Sequence, residues 1–370
     1  MKILVVISCI IGLCSCTSDP RSSRRLYVNG QDVFTDALFR LALKALNEKP
    51  NESSVVSPFS IGMALATMNA GAGGNTSKEI TDVAFPGLEP KDIENLFDYE
   101  LGRLGLIIYQ EHRPVDVASV IYLEINKFAS DATKGHINEL FKSSDISAQT
   151  NVAVVNAIHI SSEFWKPFAK KDTKKKAFHT DDKTVKQIDM LNGVIRSAEF
   201  FETDDYVFAS LDLNGLSGLE YFVLVPKKGS LAALKQQFIS STESYFNIHF
   251  KSMFCDELHI TIPKFKTKTD RNLKETLKKL GIKDMFNETK ADFKGISKAR
   301  LLFSEFIHQA ELEIDENGVM AAAASTLTVI GLSEAYPRYE PTPRYITVDK
   351  PFIFGITHLS IPIFVGQYYG

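Results

Sequence analysis

The sequence predicts a mixed α+β fold, for three reasons: helical periodicity gathers mostly in the early part of the chain, short apolar or alternating runs gather mostly later, and there is no regular βαβ alternation. A first amphipathic helix is predicted over Gln31 to Leu46, where Phe34, Leu38, Leu41, Ala42 and Leu46 keep near-helical spacing. Ile61 to Met68 reads as a second, more buried helix and Asp92 to Leu104 as a third. Leu273 to Leu280 reads as a short helix with lysines on its outer face. Val152 to Ile160, Tyr221 to Val225, Leu258 to Ile262 and Ile361 to Val365 are short apolar or alternating runs and read as strands.

A chain of 370 residues that is 44% hydrophobic can bury a large core. No Gly/Ser/Pro-rich linker and no internal repeat divides it, so a single domain over residues 17–370 is expected. A net charge of -3 with mixed signs gives no general drive toward nucleic acid or a membrane surface.

Residues 1–16 read as a secretory signal peptide: Lys2 precedes an apolar run to Leu13, and the small residues Cys14, Ser15 and Cys16 close it. A core helix is disfavoured by the Thr-Ser-Asp-Pro and arginines that follow. A lipid anchor on Cys16 ranks second, because Leu13 to Cys16 fits that signal poorly. The expected location is extracellular. Cleavage after Cys16 leaves Cys255 alone, with no internal disulfide possible, and a buried structural thiol is expected there. Asn51, Asn75 and Asn287 head glycosylation sequons that suit a secretory route.

Residues 316–333, ENGVMAAAASTLTVIGLS, read as a strand without a place in a sheet. Glu316, Asn317 and Gly318 are turn-like, and the glycine lets the backbone pivot. From Val319 onward every second residue is small or apolar, which suits an extended segment with one buried face, although the alanines would also tolerate a helix. Pro337, Pro341 and Pro343 cannot continue either structure. The segment is a strand tethered to an exposed loop.

Several motifs share one resemblance. NESSVVSPFSI (residues 51–61), ALA (64–66) and AGAGGNT (70–76) come first, then NAIHI (156–160) and WKPF (165–168). IPKF (262–265), LKETLKKLG (273–281), HQA (308–310), DENG (315–318) and DKPFIF (349–354) follow. In combination the chain resembles the serpins over most of its length after about residue 33. That resemblance implies the serpin fold: a large mixed sheet A, further sheets B and C, surrounding helices and an exposed reactive loop at about residues 316–345. One departure stands out. In the family, the strand that Val115 to Leu123 resembles is followed by a helix and an edge strand, whereas here a run resembling the next helix begins at Glu124. Sheet A therefore reads as shortened, and an unpaired edge invites association.

The resemblance implies a mechanism that consumes the inhibitor. A serine protease attacks a bond in the loop and forms an ester with the residue on its N-terminal side. The cut loop then inserts into the main sheet before the ester hydrolyses. Val319 and Ala321 would enter first, followed by the inward positions among Ala322, Ala323 and Ala324, and none carries a charge into the interior. Non-inhibitory members, which serve as carriers, chaperones or storage proteins, usually lose such a small-residue hinge. The family's usual distance from the hinge glycine assigns Leu332 and Ser333 to the scissile bond, which implies a chymotrypsin-like or elastase-like target. The loop is longer than usual and leaves Arg338, Tyr339 and Arg344 as alternatives. Lys264 and Glu316 match a pair that pins the hinge. Trp165 matches a tryptophan expected to pack over the point of loop insertion, and Gln309 replaces the usual lysine beside His308.

The implied partner is a target protease in a covalent acyl complex, the inhibitor itself being a monomer. Lys166, Lys170, Lys171, Lys174, Lys175 and Lys176 form a basic cluster that reads first as a solvated face; a glycosaminoglycan is its alternative occupant. The 8 histidines show no metal-ligand spacing, and neither a nucleophile elbow nor a phosphate-binding loop is present. His308 reads as a core residue, no cofactor is implied, and catalysis is not expected.

Overall fold

The computed structural model describes residues 5–6, 30–108, 152–158, 162–181, 184–196, 198–213, 218–296, 302–319 and 342–370. From the N-terminus, β1 (Val5–Val6) precedes α1 (Gln31–Leu46), β2 (Ser54–Val56), α2 (Pro58–Ala70), α3 (Gly74–Ala84) and α4 (Pro90–Ile108). The apolar stripe predicted for α1 is buried at Phe34, Leu38, Leu41 and Ala42. Helix α2 starts before its apolar run because Ser57 caps it, its Oγ accepting from the Ser60 N–H at 3.2 Å, with Pro58 in the first turn.

Strands then dominate: β3 (Val152–Ile158), β4 (Ser162–Glu163), β5 (Lys174–His179), β6 (Val185–Ile195), β7 (Ala198–Glu202), β8 (Tyr206–Asp212) and β9 (Leu219–Pro226). Two helices interrupt them, α5 (Leu231–Ile239) and α6 (Tyr245–Lys251), so the division into early helices and late strands holds only in part. After β10 (Met253–Cys255), β11 (Leu258–Pro263), β12 (Phe265–Asn272) and α7 (Lys274–Leu280) come β13 (Phe303–Ile314), β14 (Gly318–Val319), β15 (Arg344–Thr347), β16 (Phe352–His358) and β17 (Ile361–Tyr368).

The described strands form three sheets. In the first, β3 lies parallel to β13 from Val152 against Phe303 to Ile158 against Ala310, and β12 pairs antiparallel with the far edge of β13. The second runs β10-β7-β8-β9-β16-β17-β2. Its strands β9, β16 and β17 are buried along their whole length, which is why they read as continuous apolar runs. The third runs β15-β11-β6-β5 and presents Lys174, Lys175 and Lys176 to solvent.

Val5 and Val6 pair in parallel with Val154 and Val155, on the edge of β3 away from β13. An apolar, β-branched segment suits such a β edge. That contact belongs to a chain that keeps its first residues. Val115 to Leu123 and the helix-like run after it lie outside the described residues. Cys255 is buried and free, its thiol donating to the Glu257 carbonyl at 3.3 Å.

Candidate functional site at the loop hinge

The site begins where β13 ends. Asp315 Oδ1 accepts from the N–H groups of Asn317 at 2.8 Å and Gly318 at 3.1 Å, and the Asp315 N–H donates to the Gly318 carbonyl at 3.0 Å. This side-chain-supported turn reverses the chain within Asp-Glu-Asn-Gly. It is stitched to the segment opposite: the Phe168 N–H donates to the Glu316 carbonyl at 2.7 Å, and the Phe164 N–H to the Asn317 carbonyl at 2.8 Å.

Beyond the turn the chain enters the first sheet. Gly318 and Val319 pair antiparallel with Glu163 and Ser162, and Val319 also pairs with Ile314 on β13. Val319 is 1% exposed. A Cβ on Gly318 would lie 2.5 Å from both the Glu163 Cα and the Ser162 carbonyl oxygen, closer than backbone atoms can approach, so only glycine fits this seam. Thus β14 already occupies the top of a slot between β4 and β13, and lower down β3 and β13 close the slot against each other.

Glu316 is buried. Its Oε2 accepts from Lys264 Nζ and its Oε1 from Thr173 Oγ1. Burial pushes its carboxyl upward in pKa, but the hydrogen bonds from Lys264, the backbone and Thr173, together with the Lys264 charge, outweigh that and hold it below the ordinary carboxylate value. The Lys264 ammonium is correspondingly raised by the hydrogen bond it gives to Glu316.

Trp165 lies beside this turn. It is 47% exposed, and its backbone N–H donates to the Asp212 carbonyl at 2.9 Å. Phe164, next to it, is buried, with its ring packed edge-on to Phe168 and Tyr221 at 5.3 and 5.9 Å.

Further down the closed seam lies His308, paired in register with Asn156. It is fully buried, and its Nε2 accepts from the Ser57 N–H at 3.1 Å, at the start of α2. Ser57 Oγ donates to the Ile363 carbonyl at 2.7 Å. Desolvation, helped by the Arg271 charge, pulls His308 down to about 3, so it is a neutral core residue that ties sheet to helix. Gln309, beside it, is also buried.

Met320, Ala321, Ala322, Ala323, Ala324, Leu332, Ser333, Arg338 and Tyr339 lie outside the described residues. Arg344 is a strand residue: its N–H donates to the Glu257 carbonyl at 2.9 Å, and its guanidinium lies 5.5 Å over the Phe200 ring. Lys166, Lys170, Lys171, Lys174, Lys175 and Lys176 are all exposed, with Lys166 donating to the Val194 carbonyl and Lys176 to Asn192. The sequon residues Asn51, Asn75 and Asn287 are all exposed, and Asn75 Nδ2 donates to Asp284 at 2.6 Å and Glu79 at 3.0 Å.

Comparison with known proteins follows the same lines. Among curated proteins the chain is 25% identical to Serpin A3-2 of Bos taurus over 359 residues, spanning 87% of this chain and 84% of that one. It is 26% identical to Glia-derived nexin of Rattus norvegicus over 378 residues, spanning 91% and 92%. Of solved structures, the native state of the thermophilic serpin tengpin superposes with a TM-score of 0.72 at 19% identity, covering 94% of this chain and 96% of that one. Thyroxine-binding globulin in complex with thyroxine gives 0.71 at 19% identity, covering 93% and 99%. Those structural likenesses establish the serpin fold. The family model described as "Serpin (serine protease inhibitor)" matches residues 107–370, and the chain belongs to that family, whose members are mostly protease inhibitors rather than catalysts.

Proposed function

We propose that this chain is a secreted suicide-substrate inhibitor of chymotrypsin-like or elastase-like serine proteases, cut between Leu332 and Ser333. The observation that carries the reading is β14, seated antiparallel between β4 and β13 at the top of the slot. The β3 and β13 strands beneath are parallel, and parallel pairs are slightly less stable per residue than antiparallel ones. Extending β14 downward replaces one parallel seam with two antiparallel seams. Ala321 to Ala324 supply small uncharged side chains for that path.

In the reaction, the protease serine oxygen bonds to the Leu332 carbonyl carbon, the Leu332–Ser333 amide bond breaks, and the new Ser333 amine leaves with a proton. Freed from its C-terminal anchor, the loop enters the slot while the ester is intact. Arg344 is held in β15, which supports a cleavage point earlier in the loop. Secretion is supported by the apolar run in residues 1–16 and by the exposed sequons at Asn51 and Asn287.

The test is incubation with chymotrypsin, elastase and trypsin. The reading expects an adduct with chymotrypsin or elastase that survives SDS, and a released C-terminal peptide beginning at Ser333. Cleavage by all of them without an adduct would assign the chain to the non-inhibitory carriers, chaperones or storage members.

A further inference from the structure

Away from the hinge, Glu199 on β7, Glu220 on β9 and His249 on α6 converge beneath the second sheet, all buried, with one possible ligand atom from each lying within 4.8 Å of the others. We propose that these side chains bind a divalent first-row transition cation of the zinc class, which fastens α6 to the sheet.

The geometry is close to that of a bound site. His249 Nδ1 lies 3.7 Å from Glu199 Oε2 and 3.9 Å from Glu220 Oε2. Bonds of about 2.0–2.2 Å in a tetrahedral arrangement put ligand atoms roughly 3.4 Å apart, so both imidazole–carboxylate separations lie within about half an ångström of the bound spacing, while all three ligand atoms lie within 4.8 Å of one another. One imidazole nitrogen with two carboxylate oxygens is a donor set that zinc-class ions accept, leaving a fourth position for water. A dication also neutralises the paired carboxylates when the imidazole is neutral.

The surrounding groups hold the ligands in place. Ser252 Oγ donates to Glu199 Oε2 at 2.7 Å, and Ser210 Oγ to Glu220 Oε2 at 2.9 Å. Glu199 and Ser210 are register partners on adjacent strands, so the sheet itself fixes their side-by-side placement. Phe208 and Tyr245 each pack edge-to-face on the His249 ring at 4.9 Å and set its plane. Outer contacts of this kind orient metal ligands and raise affinity.

The experiment uses the purified full chain. It is stripped with chelator, loaded with zinc chloride, desalted and assayed for metal, and a parallel sample is titrated with cobalt chloride and followed by visible absorption. The proposal expects about one zinc per chain, a raised melting temperature, and the intense cobalt bands of a low-coordinate site that zinc abolishes. Glu220→Gln and His249→Ala should each weaken binding at least tenfold. His259→Ala, at a partly exposed His–Glu pair elsewhere, should leave binding unchanged. Wild-type protein that retains no zinc, or shows only the weak absorption of hydrated cobalt, would overturn the proposal even if the variants fail to fold. Unchanged binding in folded Glu220→Gln and His249→Ala proteins would overturn it as well.

Discussion

Lys264 Nζ lies 2.7 Å from Glu316 Oε2, and the carboxylate is almost wholly buried while the lysine is 40% exposed. The contact pins the turn that feeds β14 into the sheet. Glu316→Gln should lower stability by about 1 kcal/mol, less than a fully buried charged pair would give because solvent reaches Lys264. The Glu316 pKa is depressed by folding, so its stabilisation is complete above the ordinary value of 4.5 and is lost as pH falls through the lower folded value. Urea unfolding of wild type and variant should therefore differ at neutral pH and converge in strong acid.

His308 makes a separate acid-sensitive contribution. Its folded pKa of about 3 lies below the ordinary 6.5, so the unfolded chain binds the proton more readily across that interval. Stability is fully present above pH 6.5 and falls as pH drops toward 3, by at most about 1.4 kcal/mol per pH unit. In His308→Gln the slope of unfolding free energy between pH 6 and 4.5, above the Glu316 interval, should become shallower by up to that amount. Denaturant midpoints at stepped pH measure it.

Gly318→Ala should expel β14 from its seam, because the added carbon meets the backbone of Ser162 and Glu163 rather than movable side-chain ends. A loss of about 1–3 kcal/mol is expected, with faster hydrogen exchange at the Val319 amide. An unchanged exchange rate would mean that the seam tolerates a side chain.

Under the proposed mechanism, Val319→Arg should convert inhibition into simple cleavage. A guanidinium cannot follow valine into a position that is 1% exposed without losing its hydration. Cleavage at Leu332–Ser333 should persist while the SDS-resistant adduct disappears, as read by gel and by mass of the released peptide.

Leu332→Arg should redirect the adduct from chymotrypsin-like or elastase-like enzymes to trypsin-like ones. Unchanged specificity would move the scissile bond elsewhere in the loop.

Much of the hinge was legible in the sequence because its parts sit in short continuous motifs: DENG specified the turn, and IPKF supplied Lys264. Helix α1 was legible for the same reason, its stripe lying within a single element. Alternation was harder to see where the buried positions are themselves polar. In β12, Thr267 and Thr269 face inward while Lys266 and Lys268 face out, and the run reads as hydrophilic throughout. Strand β13 is buried on both faces, which erases the period of two. The exposure of Trp165 depends on which of two adjacent aromatics the sheet turns inward, and spacing along the chain does not decide that. The Glu199, Glu220 and His249 cluster comes from separate elements and left no local pattern to find.

The central claim is that the intact chain holds a slot its own loop can fill. Cutting the loop with a catalytic amount of protease and comparing melting temperatures of cut and uncut protein tests it most directly. The account predicts that the cut form melts more than about 10 °C higher, the shift that several kcal/mol gives in a chain of this size. Equal melting temperatures for the two forms would contradict it.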